Sequence, residues 1–135
     1  MSAFAMRRRW LVASLWTALL ALVGSPVAAQ APSAARGQTL FEARYTACHS
    51  LDANRMGPAL QTVVGRKAGT AKGYEYSPGL AGAKHRWNRH MLLAWLTDPE
   101  VVVPGQRMGY RGEAAADRAD IVAYLSAQRK KPDYK

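Results

Sequence analysis

The chain reads as all-α, with about four or five helices set between unusually long loops. Apolar residues recur at helical spacing in three places, around Leu40–Phe41, from Met91 to Leu96, and from Ile121 to Leu125. No stretch shows the period-two alternation of a half-buried strand, and no internal repeat is visible. From Ser50 to Tyr76 the chain carries Gly57, Gly65, Gly69 and Gly73 and no sustained periodicity. A loop of that length inside a compact domain is functional or wraps something.

The elements follow in order. Residues 30–36 read as a flexible lead. A helix is expected from about Gly37 to Ala47, with Leu40 and Phe41 on one side and Arg36 and Arg44 turned toward water. Ser77-Pro78 supplies an N-cap followed by proline at the first helical position, which starts a short helix to about Ala83. Asn88 caps the next helix, whose Met91, Leu92, Trp95 and Leu96 form one face before Asp98-Pro99 ends it. One turn spans Glu100 to Val103, and Pro104-Gly105 opens an extended loop carrying Met108. The last helix runs from about Ala114 to Arg129. Its buried face is Ile121, Val122, Tyr124 and Leu125, and Asp117 near its start and Arg129 to Lys131 near its end suit the helix dipole. Residues 37–130 thus form one domain, with 131–135 as a tail.

The first 29 residues read as a secretory signal instead of structure. Arg7, Arg8 and Arg9 precede an apolar run from Trp10 to Val23, and Val27-Ala28-Ala29 offers small residues for cleavage after Ala29. The run is too short for the roughly 20 residues that span a bilayer. A periplasmic protein with no stable membrane insertion after cleavage is expected. Removing residues 1–29 takes away three arginines and no acid, so the formal net charge falls from +10 to +7. A basic balance suits an acidic protein partner. Lysines and arginines are scattered instead of lining one element, which argues against nucleic acid. Cys48 is the only cysteine. No internal disulfide is available to a domain too small to hold a large core, so a buried cofactor is the expected staple.

Tyr45-Thr46-Ala47-Cys48-His49 matches the haem-attachment pattern Cys-x-x-Cys-His at every position except the first, where tyrosine replaces a thiol. In the full pattern two thiols bond the haem vinyl groups and the histidine is the proximal iron ligand. One thioether, through Cys48, is the most this chain makes. A histidine or methionine alone more often serves as a solvated loop residue or core filler; the neighbouring Cys48 and the Pro-Gly before Met108 shift that reading toward iron ligation. His85 and His90 share no helical face and lack further ligands for zinc, so both are expected at the surface.

From residue 36 to 130 the chain resembles a class I cytochrome c of the soluble mitochondrial and bacterial type, in a variant with a single attachment cysteine. Beyond the attachment residues, Gly37 and Phe41 against Ile121, Tyr124 and Leu125 match the packing of the first and last helices. Gly57-Pro58, Gly65 to Gly69, Gly73 to Tyr76, Trp87 and Pro104 to Met108 follow in family order. The resemblance implies one haem c bound covalently through Cys48, with His49 and Met108 as iron ligands and the Pro58 carbonyl holding the imidazole. It implies Arg66, Tyr76 and Trp87 as propionate donors. Trp95 stands where the family has a tyrosine near the methionine sulfur, and Leu80 replaces an asparagine, so a drier distal side and a higher potential are expected.

With both axial positions filled no place is left for substrate, which implies an electron carrier and not an enzyme. The resemblance implies a monomer that docks on acidic redox proteins: a quinol-oxidising cytochrome complex as donor, a terminal oxidase or photosynthetic reaction centre as acceptor. Arg44, Arg107 and Lys67 would lie near the docking edge, where Glu100 and Ala114 replace two members of the usual lysine ring. The alternative is a peroxidase-like haem enzyme in which Met108, between Gly105 and Gly109, is labile.

Overall fold

The computed structural model describes residues 29–112 and 114–129. Among them are five helices: α1 (Ala34–Arg44), α2 (Pro78–Gly82), α3 (Arg89–Thr97), α4 (Pro99–Val102) and α5 (Ala115–Ala127). No strand occurs among the described residues, only an isolated antiparallel bridge between Lys67 and Arg86. The expected all-α class with long loops is what the chain adopts. The export signal and the tail fall outside the described residues, apart from Ala29.

The helix boundaries follow local chemistry. Asn88 caps α3 through its side-chain oxygen, which accepts from the Met91 N–H, and Ser77 does the same for Leu80 at the start of α2. Asp98 ends α3 and caps α4, accepting from the Glu100 N–H at 3.1 Å. The first helix begins earlier than the pattern suggested. Ser33 caps it by accepting from the Arg36 N–H, so 34–36 are helical where a flexible lead was expected, and the helix gives way to turns at Tyr45.

Helices α1 and α5 cross at Gly37. A methyl group there would sit 2.0 Å from the Asp120 carbonyl oxygen and 2.8 Å from the Tyr124 Cβ, so only hydrogen allows this approach. Phe41 then reaches Tyr124 with ring centroids 5.4 Å apart, over the fully buried Ile121. Arg36 and Arg44 do not simply face water. Arg36 meets the buried Asp120 carboxylate through its Nε at 2.7 Å and a second nitrogen at 3.0 Å, and the Ser33 N–H donates to the same carboxylate. Arg44 pairs with Asp117 at 2.8 Å. Two ion pairs thus flank the apolar crossing, a pairing between distant segments that helical periodicity does not show.

On the far side of α5, α3 contributes Leu92, Trp95 and Leu96 to the same core. Its last turn is tied to the chain beyond Met108, because the Gly112 N–H donates to the Leu96 carbonyl at 2.7 Å and Arg118 of α5 donates to the Gly112 carbonyl. The helices therefore form a frame around two long excursions, residues 45–77 and 103–112, which carry the expected site residues apart from Trp87, just before α3, and Trp95, within it.

Candidate functional site

His49 lies just beyond α1, in the turns that begin at Tyr45, and only 9% of its surface is exposed. Its Nδ1 is 2.9 Å from the Pro58 carbonyl oxygen. A carbonyl only accepts, so Nδ1 carries the proton and Nε2 keeps its lone pair free for a metal. Burial holds the imidazole below its ordinary pKa and outweighs the opposing pull of the Pro58 bond, which favours the neutral ring a metal needs. Gly57 lies against the ring, where a Cβ would be 2.1 Å from Cε1. The Gly57 N–H donates to the Cys48 carbonyl at 2.7 Å, closing the loop that brings Pro58 to the histidine.

A cavity of about 420 Å³ opens beside this ring, lined by Phe41, Thr46, His49, Ser50, Leu51 and Gln61 together with Asp52 and Arg55. Cys48 is half-buried, its Sγ 3.7 Å from the sulfur of the exposed Met56. Met108 is half-buried on the second excursion, and its sulfur accepts from the Trp95 indole N–H at 3.3 Å. Trp95 in turn meets the buried Trp87, centroids 5.2 Å apart.

The expected propionate donors form a less uniform group. Arg66 is half-buried. One of its nitrogens donates to the Ala59 carbonyl at 3.0 Å, while its buried Nε has no partner in the protein. Burial lowers its pKa, with the Tyr76 phenol acting in the opposite sense. An unpaired cationic N–H inside a protein is costly, and an anionic group delivered there would satisfy it. The Tyr76 hydroxyl accepts from the Ala71 N–H at 3.1 Å and still has its own proton to give. Arg66 also backs a second, more polar cavity of about 370 Å³ that includes Gln61, Thr70 and Lys72.

The donor set therefore fits haem: a neutral buried imidazole with its outer nitrogen fixed, a thioether sulfur, one thiol beside the imidazole, and a buried guanidinium lacking an anion. It is a family comparison that turns fit into kinship. The model of the cytochrome c family matches residues 34–129.

The chain belongs to the cytochrome c family. It is 43% identical over 95 residues to cytochrome c of Euglena viridis, a match covering 68% of this chain and 93% of that one. It is 37% identical over 92 residues to cytochrome c-type cyt cy of Rhodobacter capsulatus, covering 67% of this chain and 46% of that protein. Among solved structures, cytochrome cH from Methylobacterium extorquens matches with a TM-score of 0.67 and 40% identity, over 70% of this chain and 98% of that one. The fold is that of a class I cytochrome c. Relatives of this kind are electron carriers and not enzymes.

Two features escaped sequence reasoning within this family frame. Tyr45, noticed only as the missing thiol, is a core residue. Its ring stacks on Phe41 at 5.7 Å and meets Tyr110 edge-on at 4.8 Å, which joins the attachment segment to the loop two residues beyond Met108. Its buried hydroxyl makes no hydrogen bond, and burial, with Tyr110 beside it, pushes the phenol far above its ordinary pKa. His85 is the other. His90 is exposed as expected, but His85 is half-buried with its ring edge-on to Trp87 at 4.6 Å and its Nε2 unpartnered, and burial lowers its pKa. Its place two residues before Trp87 was the available signal in the sequence.

Proposed function

We propose that this cytochrome c carries one electron at a time through a single haem c attached by Cys48 alone and ligated by His49 and Met108. The observation that carries the reading is the His49 Nδ1 to Pro58 bond, because it fixes the tautomer that leaves Nε2 as a metal ligand on a buried, neutral ring. Haem, when bound, supplies the one-electron Fe(III)/Fe(II) couple. The protein's own residues do the remaining work. Pro58 and Gly57 hold the imidazole, Trp95 orients the Met108 sulfur, and Arg66, Tyr76 and Trp87 would hold the propionates. A soft thioether favours the ferrous state and so raises the potential. With His49 and Met108 both serving as ligands, the haem would keep no position open to a substrate, which suits one-electron transfer.

In this reading residues 1–29 are an export signal, 37–130 the haem domain, and the mature protein a soluble periplasmic monomer. No helix among the described residues is long and apolar enough to cross a membrane. Its partners are acidic redox proteins, a quinol-oxidising cytochrome complex on one side and a terminal oxidase or photosynthetic reaction centre on the other. The basic balance of the chain supports steering by opposite charge.

Spectra of the exported protein test the reading. The oxidised protein at neutral pH should show the methionine-to-iron charge-transfer band. The reduced α band should lie to the red of a two-thioether spectrum, since one vinyl stays conjugated. Acid acetone should leave the haem on the protein, and mass spectrometry should place it on Cys48. Complete extraction of the haem would end the covalent claim, and a missing charge-transfer band would end the claim for Met108.

A further inference from the structure

We infer that Glu100 is a positioning residue for Met108: its carboxylate clamps the ligand loop and so sets how readily the methionine sulfur leaves the iron. The inference rests on the reading of Met108 as axial ligand and deepens it.

Glu100 stands on the one-turn helix α4, which is a firm base for so short an element. Pro99 beside it is among the most completely buried side chains of the molecule, and Val103 at its end is buried in the core. Asp98 caps the turn, accepting from the Glu100 N–H, and is itself paired with Arg111 at 3.1 Å. From this base one carboxylate oxygen of Glu100 accepts from the Gly105 N–H at 2.7 Å, and the other accepts from the Gln106 side-chain amide at 3.3 Å. The Gln106 side-chain oxygen then accepts from the Met108 N–H. A continuous chain of hydrogen bonds therefore runs from α4 to the backbone of the methionine, while the Trp95 indole holds its sulfur from the other end.

Gly105 explains why the clamp is needed. Its φ is +77, a conformation that permits the sharp turn of Pro104-Gly105 and that glycine alone does not hold in place. An ionised acceptor makes stronger hydrogen bonds than a neutral one, and here two of them fall on consecutive residues of a turn that is otherwise exposed.

An external ligand occupies the iron only in the state from which the Met108 sulfur has departed, so its apparent affinity reports the population of that state. Imidazole titrated into the oxidised holoprotein, followed by loss of the methionine-to-iron band, reads it directly. Glu100→Ala should bind imidazole about tenfold more tightly than the parent, the shift expected from losing one or two exposed bonds to a carboxylate. Glu100→Gln keeps one acceptor oxygen and should fall between them. Val101→Ala, the exposed neighbour on the same turn that makes no bond to the loop, should titrate like the parent. Far-UV circular dichroism should be unchanged in all three, and the unfolding midpoint should fall by several degrees in Glu100→Ala but not in Val101→Ala, because bonds that hold the loop also stabilise the folded state. A Glu100→Ala titration within twofold of the parent, or an equal effect of Val101→Ala, overturns the inference while the ligand reading stands. A parent protein with no methionine band removes both.

Discussion

Replacing Gly57 by alanine asks whether the imidazole of His49 is held as tightly as its surroundings imply. The added Cβ would lie 2.1 Å from Cε1 and 2.6 Å from each ring nitrogen, directly against the ring. Ordinary carbon contacts lie at about 3.5–4.0 Å, so ring and backbone must part by more than about 1 Å. Neither side yields easily. The ring is tied to the Pro58 carbonyl and its backbone to the Tyr45 carbonyl, while Gly57 is bonded through its N–H to Cys48 and through its carbonyl to Arg55. Overpacking costs about 1–3 kcal/mol and a broken hydrogen bond about 1 kcal/mol more. Alanine returns about 0.4–1 kcal/mol by restricting the unfolded chain. The net loss is about 2–3 kcal/mol, or roughly 10–20 °C in Tm for a domain of this size. Thermal and guanidinium unfolding of the holoprotein followed by circular dichroism measures it. Gly82→Ala is the matched control, because nothing lies within 4 Å of a Cβ there, and it should leave stability unchanged or slightly raised. A Gly57→Ala protein that unfolds at the parental midpoint would refute the packing argument.

Trp95→Phe removes the N–H donor from the Met108 sulfur, leaving a more electron-rich thioether that favours ferric iron; the reduction potential in a redox titration should fall, and a rise would contradict the proposed role. Pairing Trp95→Tyr with Leu80→Asn should likewise lower it by returning polarity to the distal side. Tyr45→Phe deletes a buried hydroxyl that lacks a partner while keeping both ring contacts, so guanidinium unfolding should show stability equal to the parent or up to about 1 kcal/mol higher. A clear loss would mean the hydroxyl is satisfied after all. Arg36, aided by the Ser33 N–H, holds the Asp120 carboxyl below its ordinary pKa against the opposing effect of burial. That contribution is present above the unfolded carboxyl's pKa and is lost as pH falls through the lower folded value. Asp120→Asn should therefore be less stable at neutral pH and show a shallower stability decline below about pH 4; parallel profiles would exclude the linkage.

Much of the candidate site was legible because its chemistry is local. Cys48 and His49 adjoin, Gly57-Pro58 closes a loop of a few residues onto the imidazole, and Pro104-Gly105 announces the segment that carries Met108. The caps at Ser77 and Asn88 were readable for the same reason, since each is a contact between residues three apart, whereas Asp98 was read only as the end of α3 and not as the cap of α4. Reading failed where one residue had two meanings. Tyr45 registered as a lost thiol because the motif assigns that position to chemistry, yet its ring completes the aromatic contact between Phe41 and Tyr110. Ser33 was placed in a flexible lead because nothing nearby announces that its N–H ends on Asp120.

By itself the sequence determined the helical class and the order of elements and offered a candidate attachment cysteine and candidate ligands, all of which follow from short-range stereochemistry and residue type. Only the tertiary structure decided that Arg36 meets Asp120, that Trp95 donates to the Met108 sulfur, that His85 turns inward onto Trp87, and that Glu100 accepts from Gly105 and Gln106. Each depends on how α1 crosses α5 at Gly37 and on how α3 and α4 seat against that pair. Such crossings are set by the joint packing of side chains from distant segments, which no single stretch of chain contains.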